Sequence, residues 1–100
     1  MTVYSVVVSP EFERQFQRLD KKIQERVRKI LKELETRLLG EPLKGDLKGF
    51  YSVHFENNHY RLVYAKEDSI LQVMAIHVGK KTNDFYKNIK EYIKRKNKLH

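Results

Sequence analysis

The chain contains no cysteine, no glycine-rich phosphate loop, no Gly-x-Ser-x-Gly elbow and no apolar run long enough to span a bilayer. The first absence rules out a disulfide framework and a thiolate zinc site. The next two remove common nucleotide-binding and serine-hydrolase signatures. The N-terminus, Met1-Thr2-Val3-Tyr4, has no basic region followed by an apolar signal core, so a soluble cytoplasmic protein with no membrane partner is expected. The four histidines, His54, His59, His77 and His100, show no His-x3-His spacing and no Asp/Glu-His cluster on one helix. Neither a metal nor another cofactor is therefore expected.

What is present suits one globular domain over residues 1–100, with hydrophobic residues at 40% and charged residues at 34%. Lysine and arginine total 21 against 13 Asp and Glu, a net charge of +8. The excess is uneven: residues 80–100 hold eight basic and two acidic residues, leaving only +2 for the first 79. Such a concentration suits a polyanion, because Lys and Arg release counterions when they neutralise phosphates. A solvated helix face gives the same pattern.

Thr2 to Val8, rich in Val and Tyr, predicts a first strand apolar enough for an interior position. Ser9-Pro10-Glu11 supplies a cap, a first-turn proline and a negative charge for a helix whose Phe12, Phe16 and Leu19 face one way. Asp20 closes it and caps a second helix. From Lys21 to Leu39, Ile23, Val27, Ile30, Leu31, Leu34 and Leu38 form one apolar face, and Gly40 ends the helix. Its charged side, with Glu25/Lys29 and Lys29/Glu33 at helical spacing, reads as solvated surface.

Residues 41–49 carry a proline and two glycines and read as a loop. Three strands follow: Phe50 to Glu56, His59 to Ala65 and Ile70 to Val78, with Asn57-Asn58-His59 and Lys66-Glu67-Asp68-Ser69 as turns. Tyr51, Val53 and Phe55 share one face of the first of these, and Ser52, His54 and Glu56 the other. Gly79 to Asp84 leads into a helix with Phe85, Ile89 and Ile93 on its stripe and Tyr86 and Tyr92 beside it, running to about Arg95 and fraying over Lys96 to His100. The expectation is an α+β fold: a mostly antiparallel four-stranded sheet, an N-terminal helical hairpin packed on it, and a C-terminal helix.

Arg61 lies near the start of one strand of the central hairpin, and Lys80-Lys81 just beyond the end of the next. An antiparallel pair brings those ends together, so the three cations should meet at one rim. His54 and Tyr86 join them as polar candidates, with Glu41, Lys44 and Lys48 from the central loop. Such a set can cleave RNA without a metal: an imidazole with a reference pKa of about 6.5 takes the 2′-hydroxyl proton, and cations stabilise charge on phosphorus. A tyrosine stacks on a base or bonds to phosphate. Each residue also has a plainer role. His54 suits a surface position, Arg61 can pair with Glu56 or Asp46, Tyr86 can extend the apolar stripe, and His77, alternating with Leu71, Val73 and Ala75, suits a satisfied, partly buried site.

At these residues the chain resembles the RelE/ParE superfamily of type II toxin-antitoxin toxins. The resemblance runs through Pro42-Leu43-Lys44-Gly45-Asp46-Leu47-Lys48-Gly49-Phe50-Tyr51, Tyr60-Arg61-Leu62-Val63-Tyr64, Val78-Gly79-Lys80-Lys81 and Tyr86. It is strongest to the RelE branch, with YoeB-like features in Glu41-Pro42-Leu43-Lys44 and Gly49-Phe50-Tyr51-Ser52. It implies a microbial RNase fold that cleaves messenger RNA on the ribosome, inhibits translation and is silenced by a cognate antitoxin. Arg61 matches the family's phosphate-stabilising arginine, Lys81 its second cation and Tyr86 its tyrosine. Where RelE carries two lysines, this chain has Ser52 and His54. His54 is then the expected base and Glu41, by the YoeB-like pattern, its alternative. Arg61 and Lys81 stabilise the phosphorane and supply the proton, while Lys44, Lys48, Lys80, Lys87 and Lys90 hold ribosomal RNA. The ParE branch implies DNA gyrase inhibition instead, and the missing lysines a catalytically degenerate toxin that only binds its antitoxin or RNA.

Overall fold

The computed structural model describes residues 3–97. Along these residues run β1 (Ser5–Val8), α1 (Pro10–Gln17), α2 (Lys21–Glu33), β2 (Glu41–Pro42), β3 (Phe50–Phe55), β4 (Tyr60–Glu67), β5 (Gln72–Lys80) and α3 (Phe85–Asn97). The fraying expected over Lys96 to His100 lies partly outside them, as does His100.

The caps read from the sequence are in place. Ser9 Oγ accepts from the Phe12 amide and Asp20 Oδ1 from the Ile23 amide, each at 3.0 Å. Ser9 Oγ also donates to the Ile76 carbonyl at 3.0 Å, which ties the start of α1 to β5. The second helix stops earlier than its periodicity suggests. Tyr64, wholly buried in β4, donates its hydroxyl to the Leu39 carbonyl at 2.6 Å and accepts from the Leu39 amide at 3.2 Å. Leu39 gives both backbone groups to a side chain and so cannot give them to a helix. Leu38, expected on the apolar face, is exposed.

The sheet has five strands, not four, in the order β1-β5-β4-β3-β2. The unforeseen strand is β2, within the predicted loop: Glu41 registers with Ser52 and Pro42 with Tyr51. Proline is tolerated there because an edge strand leaves one side's amides unneeded. The first strand lies at the opposite edge instead of the expected interior, parallel to β5; the other pairings are antiparallel. The last strand extends to Lys80, so Gly79 and Lys80 are sheet residues and not loop.

Both faces of the sheet are covered. On one, Phe12, Ile23, Val27, Ile30 and Leu34 of the helical hairpin pack against Val53, Phe55, Leu62, Tyr64, Val73, Ala75 and Val78. On the other, Phe85 and Ile89 of α3 meet Leu47, Val63 and Ile76. Between Ala75, opposite Tyr64, and His77, opposite Val63, the residue Ile76 is extra, a bulge on β5. The bulge ends the alternation that grouped His77 with Val73 and Ala75, and turns His77 toward Phe85 and Tyr92 of α3.

Gly40 carries the chain from the Tyr64 latch into β2 at φ +77°, where an added Cβ would fall onto the Ser52 carbonyl. Gly45 has φ +62° with open space around it. We expect Gly40→Ala to lower stability by about 2–4 kcal/mol, from a left-handed alanine plus a backbone clash, and Gly45→Ala by only about 1–2. Urea midpoints at unchanged m-value measure both; equal losses would mean that the Ser52 contact is unimportant.

Candidate active site at the rim of the central hairpin

Strand pairing builds the site. His54 on β3 stands directly opposite Arg61 on β4, which stands opposite Gly79 on β5. The Lys81 amide donates to the His59 carbonyl at 2.8 Å and continues the ladder by one residue. Alternation then puts His54, Arg61 and Lys81 on the α3 side of the sheet. Lys80, paired with Tyr60, goes to the opposite face. The expected meeting of three cations is therefore a meeting of two, with Lys80 apart.

Arg61 is buried although charged, 7% exposed. Its Nη1 donates to the Asn58 carbonyl at 2.6 Å and the Tyr60 carbonyl at 3.2 Å, while Nε is enclosed without a partner among the described residues. Neither expected carboxylate partner reaches it: Glu56 pairs with Arg26 of α2 at 3.2 Å, and Asp46 with Lys90 at 4.0 Å. The Asn58 carbonyl is aimed by an unusual turn. Glu56, Asn57 and Asn58 all have positive φ, at 50°, 55° and 70°. Asparagine tolerates that region by local hydrogen bonding, whereas glutamate adopts it at a cost, and Glu56 at this turn also pairs with Arg26.

His54 is exposed, and its pKa lies below the ordinary 6.5. Partial burial contributes most, followed by the Arg61 charge; Glu41 pulls the other way and Lys81 lowers it further. The two-residue β2 is what brings Glu41 into that field, one strand over from His54. The imidazole is thus neutral near pH 7, with a lone pair available beside two cations.

Tyr86 lies in the first turn of α3, half-buried against Phe85, with its hydroxyl 2.9 Å from Ser52 Oγ. Ser52 is the neighbour of His54 on the same strand face, two residues back. Sequence reading placed it on that face but gave it no role; a small hydroxyl amid Phe50, Tyr51, Val53 and Phe55 was the available signal. Of the proposed RNA contacts, Lys44, Lys48, Lys87 and Lys90 are exposed. The short turn Gly45–Leu47 buries Leu47 against α3, so Lys44 and Lys48 flank an anchored segment. Among the described residues no three His, Asp or Glu side chains group as a metal site would require.

Behind the site, Gln15 of α1 uses both ends of its amide. Oε1 accepts from the Val78 amide at 2.9 Å, so Nε2 faces His77 Nε2 at 2.8 Å. The network therefore makes His77 Nε2 the acceptor and puts the ring proton on Nδ1. That Nδ1 is enclosed and unpartnered among the described residues, so His77 is buried but not fully satisfied. Burial lowers its pKa, with the Ile76 backbone and Glu11 pulling partly back.

Comparison with known proteins gives a family and a fold. The sequence model of one family, the ParE-like toxin of type II bacterial toxin-antitoxin systems, matches residues 6–90. Among solved structures, the toxin-antitoxin complex RelBE2 from Mycobacterium tuberculosis is similar at a TM-score of 0.72 and 25% identity, covering 81% of this chain and 94% of that one. An E. coli RelE variant bound to a RelBc antitoxin peptide has a TM-score of 0.69 at 27% identity, covering 89% and 95%. The YoeB/ParE toxin from Agrobacterium tumefaciens, at 24% identity and TM-score 0.65 over 78% and 99%, shares the fold. No curated protein sequence matches significantly.

A pH dependence of stability follows from the two depressed histidines. The unfolded chain takes up their protons first as pH falls, so stability is full well above the ordinary 6.5 and declines as pH falls through it. We expect the urea midpoint to drop between about pH 7.5 and pH 5. His77→Gln, which keeps a neutral acceptor toward Gln15, should shrink that drop, leaving the share of His54. An unchanged drop would remove His77 from the account.

Proposed function

The chain belongs to the ParE-like toxin family of type II bacterial toxin-antitoxin systems, and from that membership we propose that it is a metal-free endoribonuclease acting on messenger RNA at the ribosome. One observation supports this above others: a neutral histidine lies directly across the ladder from a buried arginine, with Lys81 at the same rim.

His54 removes the 2′-hydroxyl proton, and the freed oxygen attacks the adjacent phosphorus. Arg61, already fixed by two carbonyls, loses little freedom when its remaining N–H groups meet the charge that builds on the phosphoryl oxygens. Lys81 stabilises the same charge and gives a proton to the departing 5′-oxygen, so the bond to that oxygen breaks as the cyclic phosphate forms. Lysine supplies charge but not arginine's fork, which puts the greater orienting burden on Arg61. Glu41, as the alternative base, sits one strand further out and tunes His54 through its charge. Tyr86 orients the nucleotide, and Lys44, Lys48, Lys80, Lys87 and Lys90 meet ribosomal RNA in the cytoplasm. The partner that silences the chain is a cognate antitoxin. Supporting that reading, similar toxins were solved in complexes with theirs. An acidic amphipathic segment fits the basic outer side of α3, and because Phe85 and Ile89 are already buried against the sheet it would reach their stripe by displacing the helix.

Tightly controlled expression with mapping of mRNA 5′ ends tests the proposal. The chain should produce cuts at A-site positions, and Arg61→Ala should reduce them about 10²–10³-fold, as loss of a preorganised charge donor does. Toxicity with intact mRNA would favour gyrase inhibition, and no toxicity a binding-only toxin.

The base is identified by pH. On programmed ribosomes the cleavage rate should fall on the acid side as His54 takes up a proton, with an inflection below the ordinary 6.5. His54→Gln should lower the rate about 10²-fold or more and flatten that limb, whereas Glu41→Gln should move it to lower pH. The reverse pattern would make Glu41 the base.

A further inference from the structure

We propose that Ser52 is a positioning residue for Tyr86: its hydroxyl donates to the tyrosine oxygen and so turns the tyrosine's own proton outward, toward a phosphate or ribose oxygen of the RNA lying over Arg61. The inference rests on the nuclease reading above and assigns a task to a residue which that reading leaves idle.

Ser52 is 1% exposed, and Tyr86 is its one side-chain hydrogen-bond partner among the described residues, at 2.9 Å. A hydroxyl has one proton, and a buried donor without an acceptor is costly. The Ser52 backbone is engaged by two neighbours in the sheet, Val63 on β4 and Glu41 on β2, so the strand cannot turn its hydroxyl toward water. The Ser52 proton is therefore directed at Tyr86. Tyr86 is only half-buried, which leaves its own hydroxyl proton to point into the open rim. Were the polarity reversed, Tyr86 would spend its proton on Ser52 and face the substrate with a lone pair, which repels a phosphate oxygen.

The geometry also sets the place of action. Ser52 and His54 are two residues apart on one strand face, about 7 Å along β3. A donor anchored at Ser52 thus lies one residue pair away from the His54–Arg61 pair, where it can hold a nucleotide without competing for the reacting phosphate. Phe85, stacked edge-on against Tyr86 and buried, keeps the ring from swinging away.

A double-mutant cycle on programmed bacterial ribosomes is the test. Ser52→Ala and Tyr86→Phe should each reduce the cleavage rate at saturating ribosome by about 5–30-fold, and the double variant should be no slower than Tyr86→Phe alone. Ser52→Thr, which keeps the hydroxyl, should recover most of the rate, and urea midpoints show whether each variant is folded. Additive losses, or a Ser52→Ala variant as fast as the unaltered chain, would overturn the role of Ser52 while leaving the nuclease reading intact. If the unaltered chain cuts nothing, the nuclease reading and this role fall together. The hydrogen bond itself is read without activity: with 13Cζ-labelled tyrosine, the Tyr86 resonance should shift in Ser52→Ala and stay in Ser52→Thr. A resonance unmoved in Ser52→Ala would remove the bond and the proposal with it.

Discussion

A guanidinium is held inside the middle strand of the sheet, and much of the surrounding architecture exists to keep it there. Arg61 stands between Tyr60 and Leu62 on a strand whose Leu62, Val63 and Tyr64 are all fully buried. A charge in such a place is tolerated only where hydrogen bonds replace lost water. Two backbone carbonyls do so in part, and one of them is available only because the β3–β4 turn runs through three successive residues at positive φ. That turn is braced from outside by the Arg26–Glu56 ion pair, which connects the helical hairpin to the rim. Among the described residues Nε has no partner, so the satisfaction is incomplete. A residue chosen for stability alone would be apolar, as its neighbours are.

The two faces of the sheet serve different ends. The helical hairpin covers one with an interlocked apolar layer, and the Tyr64 latch on Leu39 belongs to that side. Burial pushes the Tyr64 phenol up to about 12, so it stays protonated and keeps donating across the physiological range. From the latch the chain passes through Gly40 into β2, and this short strand is how Glu41 enters the field of His54. The other face is more thinly covered. Its smaller cluster gathers around Phe85 and Ile89, and the β5 bulge lets both Ile76 and His77 reach toward α3. Gln15 ties the layers together by bonding the β5 backbone and His77 at once.

Most of this was legible in the sequence wherever one local rule decided the outcome. Ser9-Pro10 and Asp20 start helices because short oxygens satisfy free amides, and Ile23, Val27, Ile30 and Leu34 lie on one face by period alone. The rim is legible through pairing geometry, which sets Arg61 near the end of β5. What was hidden depends on contacts between distant residues. Nothing around Leu39 says that a tyrosine 25 residues later will claim its backbone and end the helix early. Glu41-Pro42 looks like a loop because a proline strand is permitted only at an edge, and edges are decided by the whole sheet. The bulge at Ile76 breaks a clean alternation, so the pattern groups His77 with Val73 and Ala75 while the fold turns it to the other face. Ser52 was placed correctly but meant nothing until Tyr86, 34 residues on, gave it a partner.

Serine and histidine stand on β3 where the resemblance to RelE implies two lysines, and this changes how the proposed chemistry must work. Lysines at both positions would add two cations to a rim that already holds Arg61 and Lys81, favouring phosphate binding but leaving no group neutral enough to accept a proton unless its pKa is driven far down. One histidine needs much less. Partial burial, and after it the cations beside His54, lower its pKa from a value already near neutrality, and Glu41 limits how far. The same charges that would stabilise the phosphorane therefore add to what burial already does to keep the base deprotonated, and one arrangement serves both needs. Serine at the other position supplies no cation and, in the role proposed for it, fixes the direction of a tyrosine proton. A rim with fewer charges relies more on orientation, which is why Arg61 is tethered by the backbone and Tyr86 by a buried hydroxyl, each as an oriented donor.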